Sequence, residues 1–161
     1  MLKNAALLWA VILVLLLGLG FMVKTFILTG KTIASNDERT AILVTSDERI
    51  MILGEMRKFL ETIQGITEAV AEDNLGQAAS LATEMGNNEG DMSPSLIGKL
   101  PIEFKQLGFA THGLFTDLGQ IAETGDPKAV LTAMGDLMIN CTTCHAENKF
   151  VVEGSPEAMA N

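Results

Sequence analysis

The sequence predicts an all-α protein: an antiparallel four-helix bundle preceded by one N-terminal transmembrane helix. Three observations carry that expectation. The first is an unbroken apolar run, "AALLWAVILVLLLGLGFMV" from Ala5 to Val23, with Lys3 before it and Lys24 and Lys31 after it. The second is that the apolar spacing beyond the polar stretch at 29–40 is helical everywhere and strand-like nowhere. The third is that turn chemistry cuts this remainder into four segments with short or moderate connections. A chain of 161 residues has room for one ordinary domain behind the helix. The expected organisation is therefore residues 1–30 as anchor, 31–45 as tether and 46–161 as the bundle domain.

The apolar run is long enough, at about 1.5 Å per residue, to cross a hydrocarbon core of roughly 30 Å. A cleavable secretory signal has a shorter apolar stretch, about 7–15 residues, closed by small residues. Here Phe21, Met22 and Val23 stand at that place, and "TIA" at Thr32 to Ala34 is a late alternative beyond two lysines. An uncleaved anchor is expected, and under either reading the domain behind it is exported. The stretch "TGKTIASNDERT", residues 29–40, is polar and reads as a juxtamembrane extension.

All twenty acidic residues lie beyond Ser35, whereas Lys3, Lys24 and Lys31 of the eleven basic residues precede it. The exported part is thus strongly acidic. Nucleic acid and anionic head groups are poor partners for such a surface, and a basic docking partner suits it. Acidity that merely keeps the domain soluble explains the same balance.

The first bundle helix starts at "TSDER", with Ser46 or Asp47 as cap, and runs to Asn74. Its apolar stripe is Ile52 or Leu53, Met56, Phe59 or Leu60, Ile63, Ile66 and Val70, the spacing of an amphipathic helix. Met51 continues through Glu55, Lys58 and Thr62 on the solvated side. A second, Ala-rich helix spans about Leu75 to Met85. "GNNEGDMSPSLIGK", Gly86 to Lys99, is the main loop. A third helix opens at Pro101 and carries Phe104, Leu107, Thr111, Leu114 or Phe115, Leu118 and Ile121 on one face. Asp126 caps a fourth, with Pro127 as its first residue, running through Val130, Met134, Met138 and Cys141 to about Lys149.

The chemistry lies near the C-terminus in "INCTTCHAENKF", residues 139–150. On a helix Cys141 and Cys144 are one turn apart and His145 is four residues from Cys141, so all three share one face. C-x-x-C-H is the haem c attachment pattern, in which both sulfurs form thioethers and the adjacent imidazole reaches the iron. A redox dithiol would open a helix inside a βαβ unit, which has no counterpart here. A zinc site needs a fourth ligand, and the adjacency of Cys144 and His145 makes joint coordination awkward. A disulfide between the two cysteines would distort the helix.

With this motif in its last helix, the chain over residues 46–150 resembles the cytochrome c′ family, the class II c-type cytochromes. The points of likeness are the long first bundle helix with "ERIMILGEMRKFL", the Gly-rich loop before the third helix, and "CTTCHAENK", where Lys149 falls four residues after His145. The resemblance implies one covalent haem between helices, His145 as proximal ligand, and a residue of the first bundle helix on the other side of the iron. In that family the position holds either a methionine, giving a six-coordinate electron carrier, or an apolar residue, giving an open site that binds small gases such as NO and CO. Pairing through the first two helices also occurs there, which leaves a homodimer open.

Met56 suits the distal position, because it is central in the apolar stripe; plain core packing is the alternative for any such methionine. His112, on the border of the third helix's stripe, is the competing ligand. Met134 and Met138 share the face of His145 and are expected to pack on the haem. Phe59, Phe104 and Phe115 wall the pocket or complete the core. Arg49 and Arg57 reach haem propionates or pair with Glu48 and Glu61. The function expected is not enzymatic: a single-pass electron carrier of the bacterial inner membrane, with its haem domain on the periplasmic side and redox proteins as partners. The alternatives are a gas-binding module and a haem-bearing subunit of a larger respiratory or photosynthetic complex, in which Gly18 and Gly20 would allow close helix contact.

Overall fold

The computed structural model describes residues 2–88 and 92–159, with side chains from Leu7 onward. The chain is mostly helical and begins with one apolar helix, α1 (Leu2–Met22), which continues as a wider π-helical stretch over Val23–Thr29. The 23 residues Leu7–Thr29 have a mean hydropathy of 2.6, and none of them is buried within the protein. That length and composition are enough to cross a membrane, and a signal sequence has the same character.

The segment expected to be a tether is folded. Thr32–Ile33 forms β1 and Thr40–Val44 forms β2, and the two are antiparallel. β2 also pairs in parallel with β3, Asn148–Val152, with Ile42 opposite Phe150. The sheet order is β1-β2-β3. The physical reason is burial: Ala41, Ile42 and Val44 of β2 and Val151 of β3 are essentially removed from solvent. β3 also corrects the end of the last long helix, which stops at Glu147, and Lys149 lies in a strand.

Helix α2 (Ser46–Ala71) is capped by Thr45, one residue before the expected caps. Thr45 Oγ1 accepts from the Glu48 amide (3.2 Å), and Glu48 Oε2 accepts from the Thr45 amide (2.7 Å), a reciprocal capping box. Helix α3 is Leu75–Asn87, with Asn74 as cap. The region expected as a single loop contains α4, Pro94–Lys99, capped by Ser93; residues 89–91 of that loop lie outside the described residues. Helix α5 spans Ile102–Glu123 and α6 Pro127–Glu147. Asp126 caps α6 as expected, accepting from the amides of Lys128 (3.0 Å) and Ala129 (3.3 Å). A last turn, α7, is Pro156–Met159.

Contacts run in the succession α2 on α3, α3 on α5 and α5 on α6. The α3–α5 pair is the closest, because small residues face each other: a Cβ on Gly86 would meet the Thr116 amide at 2.7 Å, and one on Gly119 would meet the Ala79 carbonyl at 3.2 Å. The main core gathers around Ile66, Ala82, Phe115, Leu118, Val130 and Leu137. A second, smaller core joins the sheet to the start of α2 and to α4 through Ile42, Val44, Ile52, Leu96 and Leu100. α2 and α6 hardly touch. The space left between them is the functional question.

Candidate functional site

The gap between α2 and α6 is a cavity of about 500 Å³, within the usual range for cofactor and ligand sites. Four stretches wall it. α2 contributes residues from Met51 to Ile63, α4 and its flanks contribute Met92, Ile97 and Leu100, α5 contributes residues from Phe104 to His112, and α6 contributes Met138, Asn140, Cys141, Cys144 and His145. The C-x-x-C-H residues therefore face one cavity together, as their helical spacing requires.

Both cysteines are free and half-buried. Burial pushes each thiol up, Cys144 to about 11 with the neighbouring Cys141 and Glu147 adding to the effect. These are protonated thiols in an apolar wall, whereas a dithiol oxidoreductase holds its attacking cysteine as a low-pKa thiolate at a helix N-terminus. Here the pair sits in the last two turns of α6, where the helix dipole adds no help to a thiolate. Among the described residues no three His, Cys, Asp or Glu side chains converge as a metal ion would require, Cys141, Cys144 and His145 included. That geometry does not offer the four-ligand tetrahedral set of a structural zinc centre.

Met56 lines the cavity from α2, half-buried against the second core. His112 lines it from α5. Its Nδ1 lies 3.1 Å from the Met85 carbonyl oxygen. A carbonyl only accepts, so Nδ1 donates, and in the neutral imidazole that tautomer places the lone pair on Nε2. The imidazole is further fixed by Phe59, whose ring centroid is 5.2 Å away, and Phe59 stacks on Phe115 at 5.6 Å. Phe59 and Met138 both border the cavity, and Met138 is partly exposed at its rim.

Several sequence expectations need correction. Met51 and Glu55, assigned to a solvated face, line the cavity, because a space open between two helices draws on a wider arc of α2 than one packing stripe. Met134 is in the main core, where Thr67 Oγ1 donates to its sulfur at 3.8 Å, so it is separated from the site that Met138 borders. Phe115, expected to wall the pocket or complete the core, does the latter, beneath Phe59. Phe104 does wall the cavity and meets Phe150 edge-on at 5.3 Å. Arg57 lies on the wall and Arg49 does not, and Glu48 pairs with Lys99 at 2.7 Å rather than with an arginine. Lys149 pairs with Glu157 at 2.7 Å and Asp37 at 3.4 Å, on the sheet and away from the cavity lining.

Ile97, Leu100 and Lys105 are wall residues that no stripe or motif had marked. The apolar triplet Leu96, Ile97, Leu100 within a turn-rich stretch was the available signal, since a solvated loop has no use for it.

The residues present fit a haem. The walls are almost wholly apolar, which suits a porphyrin, and two sulfurs with an adjacent imidazole stand on one side. Glu55 Oε2 is buried without a hydrogen-bond partner, although Oε1 holds Lys58 at 2.6 Å. No protein-family model, no curated protein and no solved structure matches the chain.

Proposed function

We propose that the protein is a membrane-anchored c-type cytochrome, a four-helix bundle of α2, α3, α5 and α6 closed around one covalent haem, that carries electrons on the periplasmic face of the bacterial inner membrane. The observation that supports this most is the meeting of Cys141, Cys144 and His145 on one apolar cavity at the place where α2 and α6 fail to pack. In this reading Cys141 and Cys144 would hold the group by thioethers, His145 and Met56 would ligate its iron, and Arg57 would steady a propionate. The haem supplies one reversible iron-centred electron, with methionine ligation raising its potential. The chain's own part is to exclude water with the side chains of Leu60, Ile63, Leu100, Phe104 and Leu107, and to keep the ligands in place in both oxidation states. The likeness to the cytochrome c′ family points the same way.

Retention of the anchor is supported by the residues that follow it. Gly30, Lys31 and β1 are part of the folded domain, so a cut at Thr32 to Ala34 would remove an edge strand or leave it unattached.

Maturing the full chain in cells that attach haem to exported proteins, then denaturing it, tests the proposal. Haem should stay with the wild-type chain on a denaturing gel and be lost from the Cys141→Ala/Cys144→Ala double variant. A second reading, with His112 as the distal ligand, is favoured by its Met85 hydrogen bond, which is the orientation a ligating imidazole needs. Met56→Ala and His112→Ala distinguish the two, since only loss of the true ligand opens the iron. A wild type that already binds carbon monoxide would instead indicate a gas-binding module.

A further inference from the structure

The chain leaves its apolar helix by a junction that is packed and ionic rather than loose. Gly30 closes the π-helical stretch with φ +61°, a conformation that favours glycine, and a Cβ there would collide with the Lys99 carbonyl and lie 2.7 Å from the Leu100 carbonyl carbon. The Lys31 amide donates to the Lys99 carbonyl (2.8 Å), and the Leu43 amide donates to the Lys31 carbonyl (2.8 Å). Lys99 Nζ bonds Glu48 (2.7 Å) and Glu153 (2.8 Å), and Lys31 Nζ reaches Glu153 at 3.0 Å. One network thus joins the exit of the apolar helix to α2, α4 and the residue after β3. Farther up, Lys105 Nζ donates to the Phe26 carbonyl (3.2 Å), and the Phe26 ring lies beside Gly98.

Two of these residues reach the cavity wall. Leu100 and Lys105 line the cavity and touch the juxtamembrane stretch directly. β3 begins three residues after His145 and lies two strand spacings, about 10 Å, from β1, which begins three residues after the helix ends at Thr29.

From this we infer that the haem domain is clamped to its own membrane helix at a fixed attitude, with the α4–α5 wall of the cavity held at the bilayer surface. A domain on a flexible linker sweeps a volume and can serve diffusing carriers. A clamped one presents a single face at a single height. The partner that suits it is a redox centre embedded in the same bilayer, approached laterally. The choice of partner rests on the haem reading; the clamp does not.

Two readouts keep those apart. In lipid nanodiscs the amides of Lys31 and Leu43 of the full chain should exchange hydrogen on the order of 100-fold more slowly than unstructured chain, whatever occupies the cavity. Exchange at the unstructured rate overturns the clamp. For the haem-loaded chain, electron paramagnetic resonance of membranes stacked flat on a support should vary with the tilt of the stack. A Gly-Ser-Gly insertion after Gly30 should retain the haem and abolish that variation. Gly30→Val should do the same, and where it fails to fold the insertion carries the result alone. A haem-loaded wild type with no angular dependence, or an insertion variant that keeps it, overturns the inference. A chain that shows protected amides but never acquires haem defeats the proposed function and leaves the clamp standing.

Discussion

Met56 and His112 face the same cavity with different chemistry, and their difference is decided at single atoms. The Met56 side chain is a soft, weakly polar thioether on a half-buried stripe, whereas the His112 imidazole is oriented by its Nδ1 bond to the Met85 carbonyl. Met56→Ala should turn a low-spin haem high-spin and let it bind carbon monoxide, while His112→Ala should leave the spin state unchanged. Absorption spectra of the two variants check this. The thiols give a second prediction. Because burial holds Cys144 protonated up to about pH 11, alkylation of the haem-free chain near pH 7 should be at least about 10-fold slower than that of a free thiol with the ordinary pKa of about 8.5, and should accelerate only in strong alkali. A rate that already levels off near neutral pH would mean a reactive dithiol.

Individual elements were legible in the sequence where the signal was local. Asp126 followed by Pro127, the apolar stripe of α2 and the Asn74 break all correspond to what is observed, because capping and periodicity involve residues within a few positions of each other. The sheet was not, since β2 pairs with β3 about 100 residues away and five-residue strands have no periodicity to display. Capping gives a prediction at this scale: Asp126→Ala should cost about 1 kcal/mol and lower the melting temperature by a few degrees. The Lys99 network gives another. Burial alone would raise the Glu48 carboxyl, but Lys99 and the Thr45 amide hold it below its usual range, and Lys99 with Lys31 does the same for Glu153. A carboxyl with a depressed folded pKa stabilises above its unfolded value and loses that contribution as pH falls through the folded one. Stability should therefore decline as the solution is acidified below about pH 4.5, and Glu48→Gln should flatten that decline. Denaturant midpoints measured across pH check it. Lys99 is raised chiefly by its bonds to Glu153 and Glu48, so its contribution is lost only at the alkaline end.

For the whole molecule, the sequence indicated a helical domain behind an apolar helix and a shared face for Cys141, Cys144 and His145. It did not indicate that the cavity is a missing helix contact, because the distance between α2 and α6 is set by everything packed between them. Nor did it indicate that residues 31–45 are folded into the domain. The acidic surface beyond the apolar helix and the close junction at Gly30 both bear on what the protein meets. The charge disfavours anionic surfaces, and the junction restricts which face is offered. Truncation before Lys31 should leave a domain less stable than the full chain in detergent, since Gly30 and the Lys105 bond to Phe26 are lost with the helix. Thermal melts of the two forms compare them directly.

The most direct measurement is the absorption spectrum of the full chain after maturation in a haem-attaching host, oxidised and reduced, with and without carbon monoxide. A covalently held, low-spin haem indifferent to carbon monoxide is the predicted result. A chain that carries no haem, with both cysteines still titrating as free thiols, would contradict the proposal at its base.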